Sequence, residues 1–192
     1  MTEALELLSR FQIFGGVLLA GIGWLANQFF KRRQERRVWR LDRLDAQIRN
    51  FHGPLFAEVT ASDAIWQAFR DGLALGPGAA PDAARAPELS EAQQESWRRC
   101  VREVFMPINL RIEKILLEET DLLDGAAYPQ SFRDFLAHLA GYKLLLVQWE
   151  AGDLSRHVPA TPWPERLLAD VTEGLARAQE EQQRLRSGLG VW

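Results

Sequence analysis

Histidine and cysteine are the residues of this chain best suited to acid–base, metal-binding or nucleophilic chemistry. The histidines are His52, His138 and His157, and no two have the H-x-x-x-H spacing that puts two metal ligands on one helix face. Asp134 precedes His138 by one helical turn, so these two side chains can pair. Since neither a third ligand nor a nucleophile accompanies them, we interpret His138 as a partly buried histidine bonded to a carboxylate.

Cys100 is the single cysteine of the chain. One thiol excludes an internal disulfide and a cysteine-rich zinc site, and it favours a reducing compartment. Its place beside the apolar face of a predicted helix is typical of a small buried residue. The sequence has neither a G-x-x-x-x-G-K-[ST] phosphate loop nor a G-x-S-x-G elbow. We therefore predict a protein that is not an enzyme and that needs no cofactor or metal ion.

Asp153, Ser155 and His157 follow the end of a predicted helix. Aspartate and serine side chains commonly satisfy backbone groups at such ends, and His157 can join them. Two interpretations stay open: this segment is a structural hydrogen-bond network, or it lines a ligand pocket. An enzyme or ligand sensor with a pocket near His138 or His157 is thus an alternative to a protein without catalysis.

Length and charge bound the elements that must position these side chains. The chain has 192 residues, 47% apolar and 26% charged, which fits one globular domain with an appendage. Residues 13–30 carry no charge. Eighteen helical residues extend about 27 Å, against a hydrocarbon core of about 30 Å. The segment therefore predicts a single N-terminal transmembrane helix, preceded by a short extracytoplasmic stretch over residues 1–12.

A basic collar follows this segment, and it consists of Lys31, Arg32, Arg33, Arg36 and Arg37. Basic residues next to a span are retained in the cytoplasm, so we expect the N-terminus outside and the C-terminal domain inside. The order of acidic start, apolar run and basic end indicates a stop-transfer segment rather than a signal peptide. We expect the collar to meet the lipid bilayer, at about 1 kcal/mol per basic side chain, and not nucleic acid.

Small and polar residues share one face of the apolar segment: Gly16, Ala20, Gly23 and Asn27 are spaced four, three and four apart. Such a face lets two membrane helices approach closely, and the asparagine can hydrogen-bond between them. Glycine is also simply common in membrane helices, so self-association through this face is one of two interpretations. An oligomeric membrane effector assembled in this way is the alternative function.

The rest of the sequence predicts helices, and no alternating strand pattern appears. We expect a basic juxtamembrane helix over residues 31–50 and an antiparallel helical bundle over residues 51–192, so the fold class is all-α. Gly53-Pro54 should interrupt the first helical pattern, and Pro107 should kink or divide a later one. Ser90 with Gln93 has capping-box spacing, and Gly152 is placed to close a helix in the left-handed conformation. Residues 76–88, rich in Gly and Pro, are predicted to be a mobile loop.

Three strings of the bundle resemble a family of uncharacterised bacterial proteins with a short N-terminal anchor. They are F-H-G-P-L at residues 51–55, A-H-L-A-G-Y-K at 137–143 and W-E-A-G-D-L-S-R-H at 149–157. His52 stands where the resemblance leads us to expect tyrosine. The resemblance implies a helical protein anchored in the bacterial inner membrane, and it supplies no catalytic residue.

These observations predict a membrane-tethered helical interaction or regulatory module. Its cytoplasmic bundle would be presented to a protein partner or to a second copy of the chain.

Overall fold

The computed structural model describes residues 2–72, 90–123 and 128–188, and for residues 2–22 and 26 it describes the backbone alone. Within these ranges the structure is helical and contains no strand, which confirms the all-α class. The helices are α1 (Thr2–Ala46), α2 (Gly53–Gly72), α3 (Glu91–Cys100), α4 (Met106–Glu118), α5 (Gln130–Glu150) and α6 (Leu167–Ser187). Two π-helical segments (Gln47–His52 and Val101–Phe105) and a 3-10 turn (Thr120–Leu122) join some of them.

The chain divides into two compact units: Met1–Arg43 together with Leu185–Trp192, and Leu44–Arg184. In the first unit the predicted apolar segment and basic collar belong to the same helix, α1. A search of the described residues finds no helix with the length and hydropathy that crossing a membrane requires.

The second unit is a helical bundle around one apolar core. Helix α2 packs on α4, and α4 packs on α5. Their inward residues recur at intervals of three and four, which is the period that brings one helix face to the core. Phe51, Leu55, Ile112, Leu116, Phe135, Leu139 and Leu167 are completely buried.

Each π-helical segment lies directly before a helix that has a proline near its start. Gly53 donates its backbone N–H to the carbonyl of Ile48, and Met106 donates to Val101, so both bonds reach back five residues. A proline lacks an N–H and its ring clashes with the carbonyl four residues earlier. The wider π turn changes that hydrogen-bonding register. The chain therefore stays helical through both prolines. The predicted interruption at Gly53-Pro54 is wrong, and at Pro107 a change to π-helical hydrogen bonding takes the place of the predicted kink or division.

Several predicted helix ends are confirmed. The Ser90 side chain accepts from the backbone N–H of Gln93, and the Gln93 side chain accepts from the Ser90 backbone N–H. Gly152 ends the turn after α5 with φ +83°. Helix α6 begins at Leu167, after Glu165 and Arg166 form a turn that follows Pro164. The loop predicted over residues 76–88 lies outside the described residues.

The π turn before α2 predicts that alanine is not tolerated at Gly53. A Cβ there would lie 2.6 Å from the backbone oxygen of Ile48, although the backbone itself (φ −64°, ψ −56°) suits any residue. Such overpacking costs about 1–3 kcal/mol. We expect Gly53→Ala to lower the free energy of unfolding by about that amount in urea titrations followed by circular dichroism.

Gly72→Ala is the matched control, because a Cβ at Gly72 meets nothing within 4 Å. It should leave stability unchanged or raise it slightly. Equal effects of the two substitutions would mean that glycine is not required at position 53.

Candidate functional site

A cavity of about 290 Å³ lies within the second unit. Five parts of the fold contribute side chains to its wall: helix α2, helix α3, the second π segment, helix α5 and the chain around the start of α6. The lining residues are Ser62, Asp63, Trp66, Trp97, Val101, Phe105, His138, Tyr142, Trp163, Glu165 and Leu168. The volume is close to that of small-molecule sites, which begin at about 300 Å³.

Aromatic rings form most of the wall. The rings of Trp66 and Trp97 meet nearly edge to face, with centroids 5.8 Å apart, and Trp97 lies 5.8 Å from Phe105. On the α5 side, His138 is 5.4 Å from Trp163 and 5.0 Å from Tyr142. Edge-to-face contacts at these distances fix ring orientation as well as position. The cavity is therefore held open by rings that support one another.

Burial changes with depth along this wall. Trp97, Val101, Phe105, His138 and Tyr142 are buried. Asp63, Trp66 and Trp163 are half-buried, and Glu165 is exposed. Ser62 is buried as well. The floor is thus mainly aromatic, with a serine and a histidine among its residues, whereas the mouth carries two carboxylates.

His138 is held by the connection before α6. Its Nδ1 lies 2.8 Å from the carbonyl oxygen of Thr161. Because a carbonyl can only accept, Nδ1 carries the proton in this bond. Burial lowers the pKa of His138, against the opposing effect of the backbone carbonyls of Thr161 and Pro162. The ring is therefore favoured in its neutral form, with Nε2 as an acceptor.

The predicted pairing of Asp134 with His138 is replaced by two other bonds. Asp134 accepts from Nε2 of Gln130 at 2.7 Å, while His138 is bonded to Thr161. His138 is nevertheless buried, as a structural histidine should be.

The segment from Asp153 to His157 is joined to the bundle by its backbone. Ser155 donates its backbone N–H to Oδ1 of Asp153 at 3.0 Å, which closes a local turn. Hydrogen bonding from the Ser155 side chain, and then from its backbone, lowers the pKa of the Asp153 carboxyl. The indole N–H of Trp97 donates to the carbonyl of His157 at 2.8 Å. The indole of Trp149 donates to the preceding carbonyl, that of Arg156, at 2.7 Å. These contacts form a hydrogen-bond network, and none of the three predicted residues lines the cavity.

The side chain of His157 lies near this network without joining it. Its Nδ1 is buried and has no hydrogen-bond partner among the described residues. Desolvation and the nearby charge of Arg98 lower its pKa.

The residues predicted to meet the membrane or another helix lie on α1. Lys31, Arg32, Arg33 and Arg36 are exposed, and Arg37 is half-buried. Gly23 and Asn27 are exposed as well. Gly16 and Ala20 lie in the part of α1 for which the structure describes the backbone alone.

Cys100 is half-buried on α3, and burial raises the pKa of its thiol. A raised pKa keeps the thiol protonated and makes it a weak nucleophile. Within residues 2–72, 90–123 and 128–188, no three His, Cys, Asp or Glu side chains come together as a metal site would need.

Sequence reasoning missed most of the cavity. Of the lining residues, it singles out only His138. The signal available was the presence of six tryptophans after the collar. Three of them, Trp66, Trp97 and Trp163, line the cavity, and their convergence depends on how three separate parts of the fold pack, which no local pattern records.

The chain matches no protein-family model, no curated protein and no solved structure. The resemblance to an uncharacterised bacterial family stays a prediction.

The lowered pKa of His138 predicts a pH-dependent stability. The unfolded histidine titrates near 6.5, and the folded one titrates lower. Between these two values the unfolded state binds more protons, so the free energy of unfolding falls as pH drops below about 6.5. His157 adds a change of the same sign. We expect unfolding titrations between about pH 7 and pH 5 to show this loss.

His138→Gln should reduce the slope, since glutamine retains an N–H for Thr161 and does not titrate. A slope that is identical in the variant would show that His138 is not the group responsible.

Proposed function

We propose that this protein is a membrane-tethered helical regulatory module without catalytic activity. The observation that carries the proposal is the exposure of large apolar side chains on α1 directly before the basic collar. Trp24, Leu25, Phe29 and Phe30 are each about 60% exposed (63, 61, 62 and 59%).

Such a surface is unusual for a helix that faces only water. Contiguous exposed apolar residues rimmed by charge mark a site that contacts protein or lipid. In the sequence these four residues complete an uncharged stretch of eighteen, residues 13–30, which nearly matches the thickness of a hydrocarbon core. The basic collar then suits anionic headgroups and the cytoplasmic side. Lipid is the proposed surroundings of this stretch, with the N-terminus outside the bacterial inner membrane.

The bundle also offers a surface for a protein partner. Leu110 and Leu117 on α4, and Leu144 and Val147 on α5, are exposed. They flank the ion pair in which Lys143 contacts Glu113 at 2.7 Å, which joins the two helices. Exposed aliphatic groups around a fixed ion pair resemble the apolar centre and polar rim of a protein interface. A partner, or a second copy of the chain, is proposed to bind there.

The chemistry of the titratable groups supports a role without catalysis. The Cys100 thiol is kept protonated, and Nδ1 of His138 is used by a backbone carbonyl. Burial raises the pKa of Tyr142, so its hydroxyl stays protonated. In this state the three groups take part in the packing and hydrogen bonding of the fold.

Alkaline extraction tests the tether. The full-length chain should remain with membrane vesicles under conditions that strip peripheral proteins. Leu19→Arg puts a charge near the centre of the apolar stretch, which costs about 2.5–3.5 kcal/mol of insertion free energy. We expect this variant to move to the soluble fraction, as measured by the share of protein in each fraction.

Leu154→Arg is the matched control, since Leu154 is an exposed leucine in the second unit. It should stay with the vesicles. Release of the unaltered chain by alkali would remove the basis for a transmembrane anchor.

The cavity favours a second function, that of a small-molecule sensor. Its volume, aromatic floor and few polar groups are the features that ligand sites share. Native mass spectrometry of the chain released from its membranes should show an added small-molecule mass. In Leu168→Trp, where the larger ring enters the cavity, that mass should be lost while the helical content is retained. A chain that carries no added mass in either form would argue against a sensor.

A further inference from the structure

We propose that the cavity binds an organic ammonium ion with small apolar substituents, of the chemical class of choline. This inference rests on the second function above, a ligand-binding bundle, and it names the ligand class. It is independent of the membrane tether, because all the lining residues lie within the second unit.

Aromatic walls are the first reason. The lining includes three indoles, one phenol and one phenyl ring, from Trp66, Trp97, Trp163, Tyr142 and Phe105. The face of an aromatic ring attracts a cation, and indole does so most strongly. Groups of rings set at steep angles to one another are the usual way in which proteins recognise quaternary ammonium groups. The Trp66–Trp97 angle of 73° and the His138–Trp163 angle of 86° give such an arrangement.

The orientation of Trp97 turns its polar group away from the cavity. Its indole N–H is used by the carbonyl of His157, so its polar group is directed to the connection before α6. What it offers to the cavity is therefore ring surface. Trp163 likewise packs edge to face on Phe135, with centroids 5.7 Å apart, and this contact holds it in place.

Charge is the second reason. Asp63 and Glu165 are the lining side chains that carry charge at neutral pH, among the residues that the structure describes. Both are acidic. Asp63 accepts from Nε2 of Gln67 at 2.6 Å, which orients its carboxylate. In the part of the chain that the structure describes, no lysine or arginine lines the cavity to offset these two charges.

The state of His138 is consistent with a cation. Burial lowers its pKa, so the ring adds no positive charge to the cavity at neutral pH. The site thus combines an apolar aromatic floor with a negative mouth. A neutral apolar ligand would leave the two carboxylates without a counter-charge, and an anion would be repelled by them.

Three probes of similar shape and different charge test the proposal. Choline is the cation. Its isostere with a quaternary carbon in place of nitrogen is the neutral compound, and tert-butylacetate is the anion. We expect calorimetric titration of the full-length protein to show choline binding about tenfold more tightly than the neutral isostere, and the anion binding more weakly than either.

Two conservative substitutions test whether the carboxylates at the mouth cause the preference for choline. Glu165→Gln and Asp63→Asn keep the shape of each side chain and remove its charge. Together they should reduce the preference for choline over the neutral isostere by about tenfold. Glu150→Gln is the matched control, because Glu150 is exposed on α5 and does not line the cavity. It should leave the preference unchanged.

Trp66 tests the aromatic contribution. Trp66→Leu keeps an apolar side chain but removes the ring, and should weaken choline binding about tenfold while changing the neutral isostere little. Trp66→Phe should recover part of the loss.

The proposal is overturned by equal affinity for choline and its isostere, by a preference for the anion, or by no binding of any of the three. Glu165 is exposed, so failure to fold is not expected to mask the result. Failure of the cation proposal can be distinguished from failure of the sensor function. A neutral molecule found on the native protein by mass spectrometry would retain the sensor and exclude the cation.

Discussion

The two prolines inside helices constrain the backbone hydrogen bonding of this bundle. Pro54 and Pro107 both lie within continuous helical stretches, where a missing N–H and a bulky ring would normally break the chain. In both places the preceding turn is π-helical, so a neighbouring N–H reaches back five residues instead of four. This solution keeps each helix intact, and it changes which side chains face inward. Val101 and Phe105, which bound the second π segment, are buried and line the cavity.

The connection between α5 and α6 is the second determinant of the cavity. It contains little regular structure, yet four contacts hold it. Two indoles donate to the successive carbonyls of Arg156 and His157, and His138 bonds to Thr161. Pro159 packs so closely on α5 that a Cβ at Gly141 would lie 2.8 Å from it. A connection held at these points presents Trp163 and Glu165 at fixed positions. The mouth of the cavity therefore depends on backbone carbonyls rather than on secondary structure.

Local sequence patterns predict the parts of this fold that depend on local interactions. The capping box at Ser90 and the left-handed Gly152 follow from residue type and spacing, and both are confirmed. The all-α class follows from apolar periodicity. The expected break at Gly53-Pro54 is wrong because the rule for proline assumes an α-helical hydrogen-bond pattern, and a π turn relaxes that assumption. The turn does not itself require glycine, since Met106 makes the equivalent bond before Pro107. At Gly53 the requirement is local, because a Cβ there would crowd the backbone oxygen of Ile48.

The candidate site could not be predicted in the same way, because it has no motif of its own. Ser62, Trp97 and Tyr142 are each ordinary buried residues of an amphipathic helix, and only their packing brings them to one cavity. His138 is a candidate because of its side-chain chemistry, but the sequence alone does not show that it lines a cavity.

Burial of polar groups explains why the network around His157 and the cavity are separate. A buried indole N–H requires an acceptor, and in this bundle the acceptors come from the irregular connection. The N–H of Trp97 is thereby directed away from the lumen that its ring lines, as is Nδ1–H of His138 toward Thr161. These donors are thereby satisfied outside the cavity. In the proposed cation site, recognition would then rest on the aromatic lining and on the charges of Asp63 and Glu165, rather than on hydrogen bonds donated by Trp97 or by Nδ1 of His138.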